Sequence, residues 1–356
     1  MKISFLGAGA IGSMFGGLLK HHAPKLDVLL LVRGEHGEAI AREGTVKLLG
    51  PWGTLQVPID WSFEPADIAG SDYVFITVKS QAAGEALRQA ADHLGDASVI
   101  SIQNGINDEV FAKYVPLERL VMGMTSTNMV IDEPGRVSMQ LDGHTIFGPP
   151  AGVSLNGESM NEQTDDVVSL LRRIDCPGLQ FSASDQLLGV RYNKLIINAL
   201  GYASCLSASN FITEALAYRP WRVGVGMPIV AESKRIIAAS GVDLQPIPGR
   251  SDLSRIESLM QALSLPIIGR IVRLAIQGKF NRKPIVFSLY QDLKRGKLTE
   301  VDHINGQLVR LAKSVGVESP VNAKIVALTH ELESRPAGSF YDRQEVIDSI
   351  AKLTTP

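Results

Sequence analysis

The chain has 356 residues, 45% of them hydrophobic and 20% charged, the balance of an ordinary globular protein long enough for two domains. Its 35 Lys and Arg against 37 Asp and Glu leave a net charge of −2, without the basic excess that a nucleic-acid or anionic-membrane surface carries. Two cysteines, Cys176 and Cys205, are too few for a disulfide framework or a thiolate metal site and read as small buried apolar side chains.

The first half alternates strand-like and helix-like segments. "KISFL" (2–6) is a short β-rich run ending at glycine, and a helical segment follows over about 10–22. "DVLLLV" (27–32), "YVFITV" (73–78), "SVISI" and "RLVMGM" (119–124) are continuous apolar runs, as expected of parallel strands covered on both faces. Helical patterns such as "QAAGEALRQAADHL" (81–94) separate them. Strand and helix in alternation predict a Rossmann-type, doubly wound parallel sheet. "TVKLLG" and "GTLQVPI" around Pro51-Trp52 read as a hairpin inserted after the second strand. "GRVSMQL" and "HTIFG" read as a second hairpin turning at Asp142-Gly143.

From about 184 nearly everything has helical period, with turns at Gly241, Pro246, Pro248 and Gly296. The expected architecture is therefore α/β followed by all-α. The predicted domains are 1–184 and 185–356, with the boundary near 183–186. The stretch "LPIIGRIVRLAIQG" (265–278) is the nearest approach to a membrane span, but it is short and carries Arg270 and Arg273. The N-terminus lacks a charged-then-apolar leader, so a reducing, cytoplasmic setting is expected.

"GAGAIG" follows a predicted strand and opens a predicted helix. In that context Gly7 permits a tight turn, Gly9 admits a pyrophosphate against the backbone, and Gly12 allows close helix–strand packing. The loop Gly7, Ala8, Gly9, Ala10, Ile11, Gly12 would hold the phosphates at a helix N-terminus. Arg33 lies 21 positions after Gly12, where an NAD-binding protein places an acid for the ribose hydroxyls. An arginine fork suits a 2′-phosphate, which points to NADP(H). Glu35 nearby keeps NAD open. Lys79 after the fourth strand and Asn104, in Asn104-Gly105 after the fifth, stand where ligands of such sheets bind. Turn chemistry alone is the competing account of Asn104-Gly105.

"NKLIINALGY" (193–202) sets polar groups in a run of helix-interior character. Lys194 and Asn198 are four apart and share one face among Leu187, Leu188, Val190, Leu195, Ile196, Ile197 and Leu200. That stripe is either a cleft wall or a snorkelling lysine. In "FSLYQDLKRGKLTEVDHING" (287–306) a helix runs to Gly296, and Thr299 is placed to cap the next one with Glu300 in its first turn. Ser288 sits twelve residues before Glu300.

Taken in order, "GAGAIG", "VKSQ", "QNG", "NKLIIN" and "SLYQDLKRGKLTEVDHING" resemble the motif series of ketopantoate reductase (2-dehydropantoate 2-reductase). The resemblance covers both halves of the chain. "EPGRVSMQLDGHTIFG" also resembles that family's hairpin region. It implies Lys194 as catalytic acid, Glu300 as its partner, Ser288 as a substrate ligand, Asn104 and Asn198 in the cleft, and Lys79 near the cofactor. Two departures stand out. The family commonly continues with an Asn-Pro-Leu-Thr-Ala-like stretch where this chain has Tyr202-Ala203-Ser204-Cys205-Leu206, so the exact 2-oxo acid is open. The segment from Pro246 to Pro284 also looks longer than the family needs, with room for one or two added helices serving as a lid, an oligomer contact or a plain insertion.

The resulting expectation is NADPH-dependent reduction of 2-dehydropantoate to pantoate, a step of pantothenate biosynthesis. Lys194 would stabilise the developing alkoxide and supply its proton. The only expected partners are a small 2-oxo acid and a second copy in a homodimer. Neither nucleic acid, membrane nor metal is expected, since the seven histidines show no ligand spacing. Rival readings are another NAD(P)-dependent hydroxy-acid or opine-type dehydrogenase, and a nucleotide-sensing protein without turnover.

Overall fold

The computed structural model describes residues 1–151, 162–249, 252–280 and 287–354. The chain divides into two compact units, Met1–Leu188 and Gly189–Pro356.

The first unit is built on an eight-stranded sheet. Its strands are β1 (Lys2–Leu6), β2 (Asp27–Leu31), β5 (Asp60–Ser62), β6 (Tyr73–Ile76), β7 (Ser98–Ser101), β8 (Leu120–Thr125), β11 (Gly143–Gly148) and β12 (Leu179–Ala183), in the order β12-β11-β8-β7-β6-β1-β2-β5. Every neighbouring pair is parallel except β11 with β8. The predicted apolar runs form the centre of this sheet, where Ile3, Phe5, Val74, Phe75, Val99 and Ile100 are fully buried. Phe5 and Phe75 stack across β1 and β6 with ring centroids 4.8 Å apart. Both edge strands, β5 and β12, escaped the sequence reading because each is interrupted by polar residues, Asp60 and Ser62 in one and Gln180 and Ser182 in the other.

A second, four-stranded sheet contains β3 (Thr45–Gly50), β4 (Gly53–Pro58), β9 (Asn128–Glu133) and β10 (Arg136–Leu141), ordered β4-β3-β10-β9. The hairpin around Pro51-Trp52 forms as expected, with Gly50 opposite Gly53. The hairpin expected at Asp142-Gly143 does not. β10 pairs with β9 and β3 in this second sheet, whereas β11 joins the large one. The true turn is Glu133-Pro134-Gly135-Arg136, where Gly135 has φ +81° and Glu133 faces Arg136. A proline followed by a left-handed glycine is itself a turn signal, and here it prevailed over the Asp-Gly pair.

Helix α1 (Ala10–His22) packs against strands of both sheets. Adjacent glycines make this possible. A Cβ on Gly16 would lie 2.6 Å from Leu30 of the large sheet, and one on Gly17 would lie 2.9 Å from Leu48 and Val46 of the small one. Helices α2 (Gly34–Glu43), α3 (Ala83–Ala90), α4 (Asp108–Phe111) and α5 (Glu162–Leu171) complete the unit.

The second unit is helical: α6 (Leu187–Cys205), α7 (Arg219–Trp221), α8 (Met227–Ser240), α9 (Leu253–Ser264), α10 (Pro266–Phe280), α11 (Ser288–Lys294), α12 (Asn305–Ser314), α13 (Pro320–Glu333) and α14 (Arg343–Thr354). Two polar groups organise its interior. Glu232 of α8 is buried and accepts the backbone N–H groups of Val321 and Asn322, each at 2.9 Å, capping α13 from a neighbouring helix. Arg222 is fully buried and donates to the carbonyls of Leu216 at 2.7 Å and Leu263 at 3.0 Å. The long 246–284 segment supplies α9 and α10, two helices as the sequence allowed. Among the described residues no single helix is long and apolar enough to cross a membrane. Cys176 and Cys205 are buried free thiols.

Candidate active site

Strand β1 lies between β2 and β6, and the glycine loop leaves its carboxyl end. Gly7 has φ +100°, a conformation that side-chain-bearing residues avoid. A Cβ on Gly7 would fall 2.4 Å from Val78, and one on Gly12 would fall 2.5 Å from Thr77 Oγ1. A Cβ on Gly9 would meet only the Gly7 carbonyl, at 4.0 Å. Gly7 and Gly12 therefore serve packing, while Gly9 borders open space that a side chain would fill. Gly9 is also the N-cap of α1, whose first turn carries no acidic residue. Its positive end is thus left for an external anion. The loop is pinned by Thr77 Oγ1 donating to the Gly7 carbonyl at 2.7 Å and by Ala8 N–H donating to the Leu31 carbonyl at 2.8 Å. These features fit a dinucleotide pyrophosphate.

Arg33 follows β2, is exposed, and donates from Nη2 to Gln89 Oε1 at 2.8 Å. Lys79 is exposed at the end of β6 and Asn104 is half-buried beyond β7. Their loops are stitched together: Ser80 Oγ donates to the Asn104 carbonyl at 2.8 Å, and Gln103 Nε2 donates to the Val78 carbonyl at 2.7 Å. Gly105, at φ +80°, makes the turn. The loop is thus a hydrogen-bonded turn held beyond the carboxyl ends of β6 and β7.

The sequence reading missed His36. Gly135 N–H donates to its Nδ1 at 2.9 Å, so the ring proton sits on Nε2 and points to Ser13 Oγ at 3.0 Å. Ser13 Oγ in turn donates to the Ala8 carbonyl at 3.0 Å. This relay ties the glycine loop to the β9–β10 turn. Burial lowers the His36 pKa, which keeps the ring neutral as the relay requires. The only sequence signal was a histidine placed three residues after Arg33.

In the helical unit, α6 separates the roles of its polar residues. Asn193 is buried and structural. Its Nδ2 donates to the Gln245 carbonyl at 2.9 Å and Asp252 Oδ1 at 2.8 Å, and its Oδ1 accepts Leu253 N–H at 3.0 Å. Lys194 and Asn198 are each half-buried, one turn apart. Burial pulls the Lys194 pKa from 10.5 to about 8, against the opposing attraction of the Glu300 carboxylate. Glu300 is buried, which a carboxylate serving only a helix dipole at the surface would not be. The expected cap is partly realised: Val301 N–H donates to Thr299 Oγ1 at 3.2 Å, but the turn that follows is a short 3-10 segment, Val301–His303, before α12 begins at Asn305. Glu333 Oε1 accepts Thr299 N–H at 2.7 Å, and the same carboxylate holds His330 at 2.7 Å.

Ser288 opens α11 and is half-buried, with its Oγ 2.9 Å from the hydroxyl of Tyr202. A glycine makes that meeting possible. A Cβ on Gly201 would lie 2.2 Å from the Phe287 ring, so only glycine lets the start of α11 settle on α6. Tyr202, which begins the stretch Tyr202-Ala203-Ser204-Cys205-Leu206, is buried. Its pKa stands well above 10.0 through burial and then through the charge of Glu300. The Glu300 charge acts on Lys194, Tyr202 and His303 together. Lys194, Ser288, Glu300 and Tyr202 thus form one neighbourhood. Among the described residues no group of three or more His, Cys, Asp or Glu could hold a metal ion.

Residues 3–152 match the family described as ketopantoate reductase PanE/ApbA, and residues 186–333 match its C-terminal part. The chain belongs to the ketopantoate reductase family. Members of this family are NAD(P)-dependent oxidoreductases, and so is this chain. It is 32% identical over 346 residues to 2-dehydropantoate 2-reductase of Pyrococcus horikoshii, across 95% of this chain and 100% of that protein. Among solved structures it resembles a PanE/ApbA family ketopantoate reductase from Ralstonia eutropha JMP134, at TM-score 0.68 and 24% identity, covering 94% of this chain and 98% of that one. It also resembles D-mandelate dehydrogenase bound to NADH and anilino(oxo)acetate, at TM-score 0.70 and 22% identity over 94% and 98% of the two chains. These structural likenesses concern the fold.

Proposed function

We propose that the protein reduces 2-dehydropantoate to pantoate with NADPH. Under this reading the first domain, assigned to 1–184, holds the cofactor and the second, 185–356, binds substrate and supplies the acid. The observation that carries the reading is the Lys194 ammonium, brought to about 8 by burial beside Glu300 in a chain of this family. A lysine so tuned is charged near neutrality yet releases its proton readily.

Bound NADPH supplies a hydride. Gly9 and the first turn of α1 would receive its pyrophosphate, Arg33 would hold its 2′-phosphate, and Lys79 and Asn104 would be further contacts to it. Lys194 faces the C2 carbonyl oxygen of the substrate, stabilises the negative charge that develops there, and passes one proton to it. The neutral amine then recovers a proton from solvent. Glu300 keeps Lys194 charged in the resting enzyme, while Asn198 and Ser288 orient the substrate by hydrogen bonds. Oxidation of NADPH at 340 nm with 2-dehydropantoate, set against a panel of 2-oxo acids and against NADH, tests the reading. Preference for another 2-oxo acid would replace the substrate, and absence of turnover with any would favour a sensing role.

A further inference from the structure

Tyr202 and Ser288 are 86 residues apart in sequence and share a hydrogen bond of 2.9 Å. Tyr202 is buried, with its ring edge-on to Phe287 at 6.5 Å. Ser288 is half-buried, so the serine has access where the tyrosine has none. A hydroxyl pair can share only one proton along its axis, and the direction decides what the outer group recognises. We propose that Tyr202 is a positioning residue that donates to Ser288 Oγ and so commits the serine to donating its own proton outward, to an anionic oxygen of the substrate such as the carboxylate of a 2-oxo acid.

The direction follows from chemistry. A phenol is a stronger acid than an aliphatic alcohol and takes the donor role between them. Burial and the negative charge of Glu300 both hold the phenol in its neutral, proton-bearing form. With one of its two lone pairs engaged by the phenol, Ser288 keeps its own hydrogen to offer outward. That hydrogen suits a carboxylate oxygen. Charge-assisted hydrogen bonds of this kind are the stronger ones. The stretch Tyr202-Leu206, which left the choice of 2-oxo acid open, thereby acts on the substrate through Ser288.

This inference rests on Ser288 being a substrate ligand. The test uses Tyr202→Phe, Ser288→Ala and the double variant. It reads KM and kcat for 2-dehydropantoate, together with the Kd of oxamate, a non-reacting 2-oxo acid mimic, on NADP-saturated enzyme. Phenylalanine keeps the ring against Phe287, and thermal melting checks the fold. Tyr202→Phe should raise KM and the oxamate Kd roughly three- to tenfold, the worth of one hydrogen bond, with a much smaller change in kcat. Ser288→Ala should weaken binding more, and the double variant should bind no worse than Ser288→Ala alone. Wild-type affinity in Tyr202→Phe beside a weakened Ser288→Ala would overturn the positioning role and leave the serine in place. Losses that multiply in the double variant would show Tyr202 acting independently of Ser288, and would also overturn it. An unaffected Ser288→Ala would remove the serine from the substrate site and the inference with it.

Discussion

Lys194 makes the sharpest demand on the proposed chemistry, because its ionisation falls inside the measurable range. An ordinary lysine holds its proton to about 10.5, and here the value is about 8. At about 1.4 kcal/mol per pH unit the half-buried ammonium is destabilised by at most ~3 kcal/mol relative to one in water. If this group is the acid, kcat/KM for reduction should be level below pH 8 and fall tenfold per unit above it, since kcat/KM follows the free enzyme. The reverse reaction needs the neutral amine, so its kcat/KM should rise with pH and level off near 8. Glu300 raises the Lys194 pKa, so Glu300→Gln should move both limbs to lower pH. Lys194→Ala should erase the limbs and lower kcat about 10²-fold or more, leaving NADPH affinity nearly unchanged. The assay is NADPH absorbance from pH 6 to 10 with thermal melting alongside. A profile flat through pH 8, or a limb that climbs in Glu300→Gln, would refute the assignment.

Arg33→Ala should weaken NADPH about ten- to a hundredfold and leave NADH nearly untouched, as read by fluorescence titration; equal losses would remove the 2′-phosphate contact. His36→Phe should lower stability to urea by ~1–2 kcal/mol at pH 7.5 through loss of the relay. The folded His36 pKa lies below 6.5, so this contribution is complete above pH 6.5 and is lost as pH falls below it. The gap between wild type and His36→Phe should therefore narrow at pH 5.5. Glu232→Ala should cost ~2–4 kcal/mol in the same assay, because it strips the buried cap from α13 while leaving the glycine loop and Lys194 in place.

The central strands were legible because each is a mainly apolar run without alternation, the signature of strands buried on both faces. Lys194 stood out for the complementary reason, a charge in a helix apolar nearly all round. What escaped depended on partners distant in sequence. His36 meets Gly135 across 99 residues and Tyr202 meets Ser288 across 86, and no local pattern announces either contact. The Asp142-Gly143 error had the same origin. Turn propensity is local, whereas the sheet that a strand joins is decided by tertiary pairing. Gly16 and Gly17 carried a signal that went unread: adjacent helix-interior glycines mark a helix pressed from two sides.

The small sheet closes only when β10, at residues 136–141, lies alongside β3, at 45–50. On a ribosome making chain from the N-terminus, the β3–β4 hairpin emerges well before its neighbour is synthesised. Until then one edge of β3 offers unpaired backbone groups to any strand nearby. The enzyme should therefore be most exposed to aggregation while about ninety residues of nascent chain still await their pairing, and slowed synthesis between β4 and β9 should lower soluble yield without altering the finished fold.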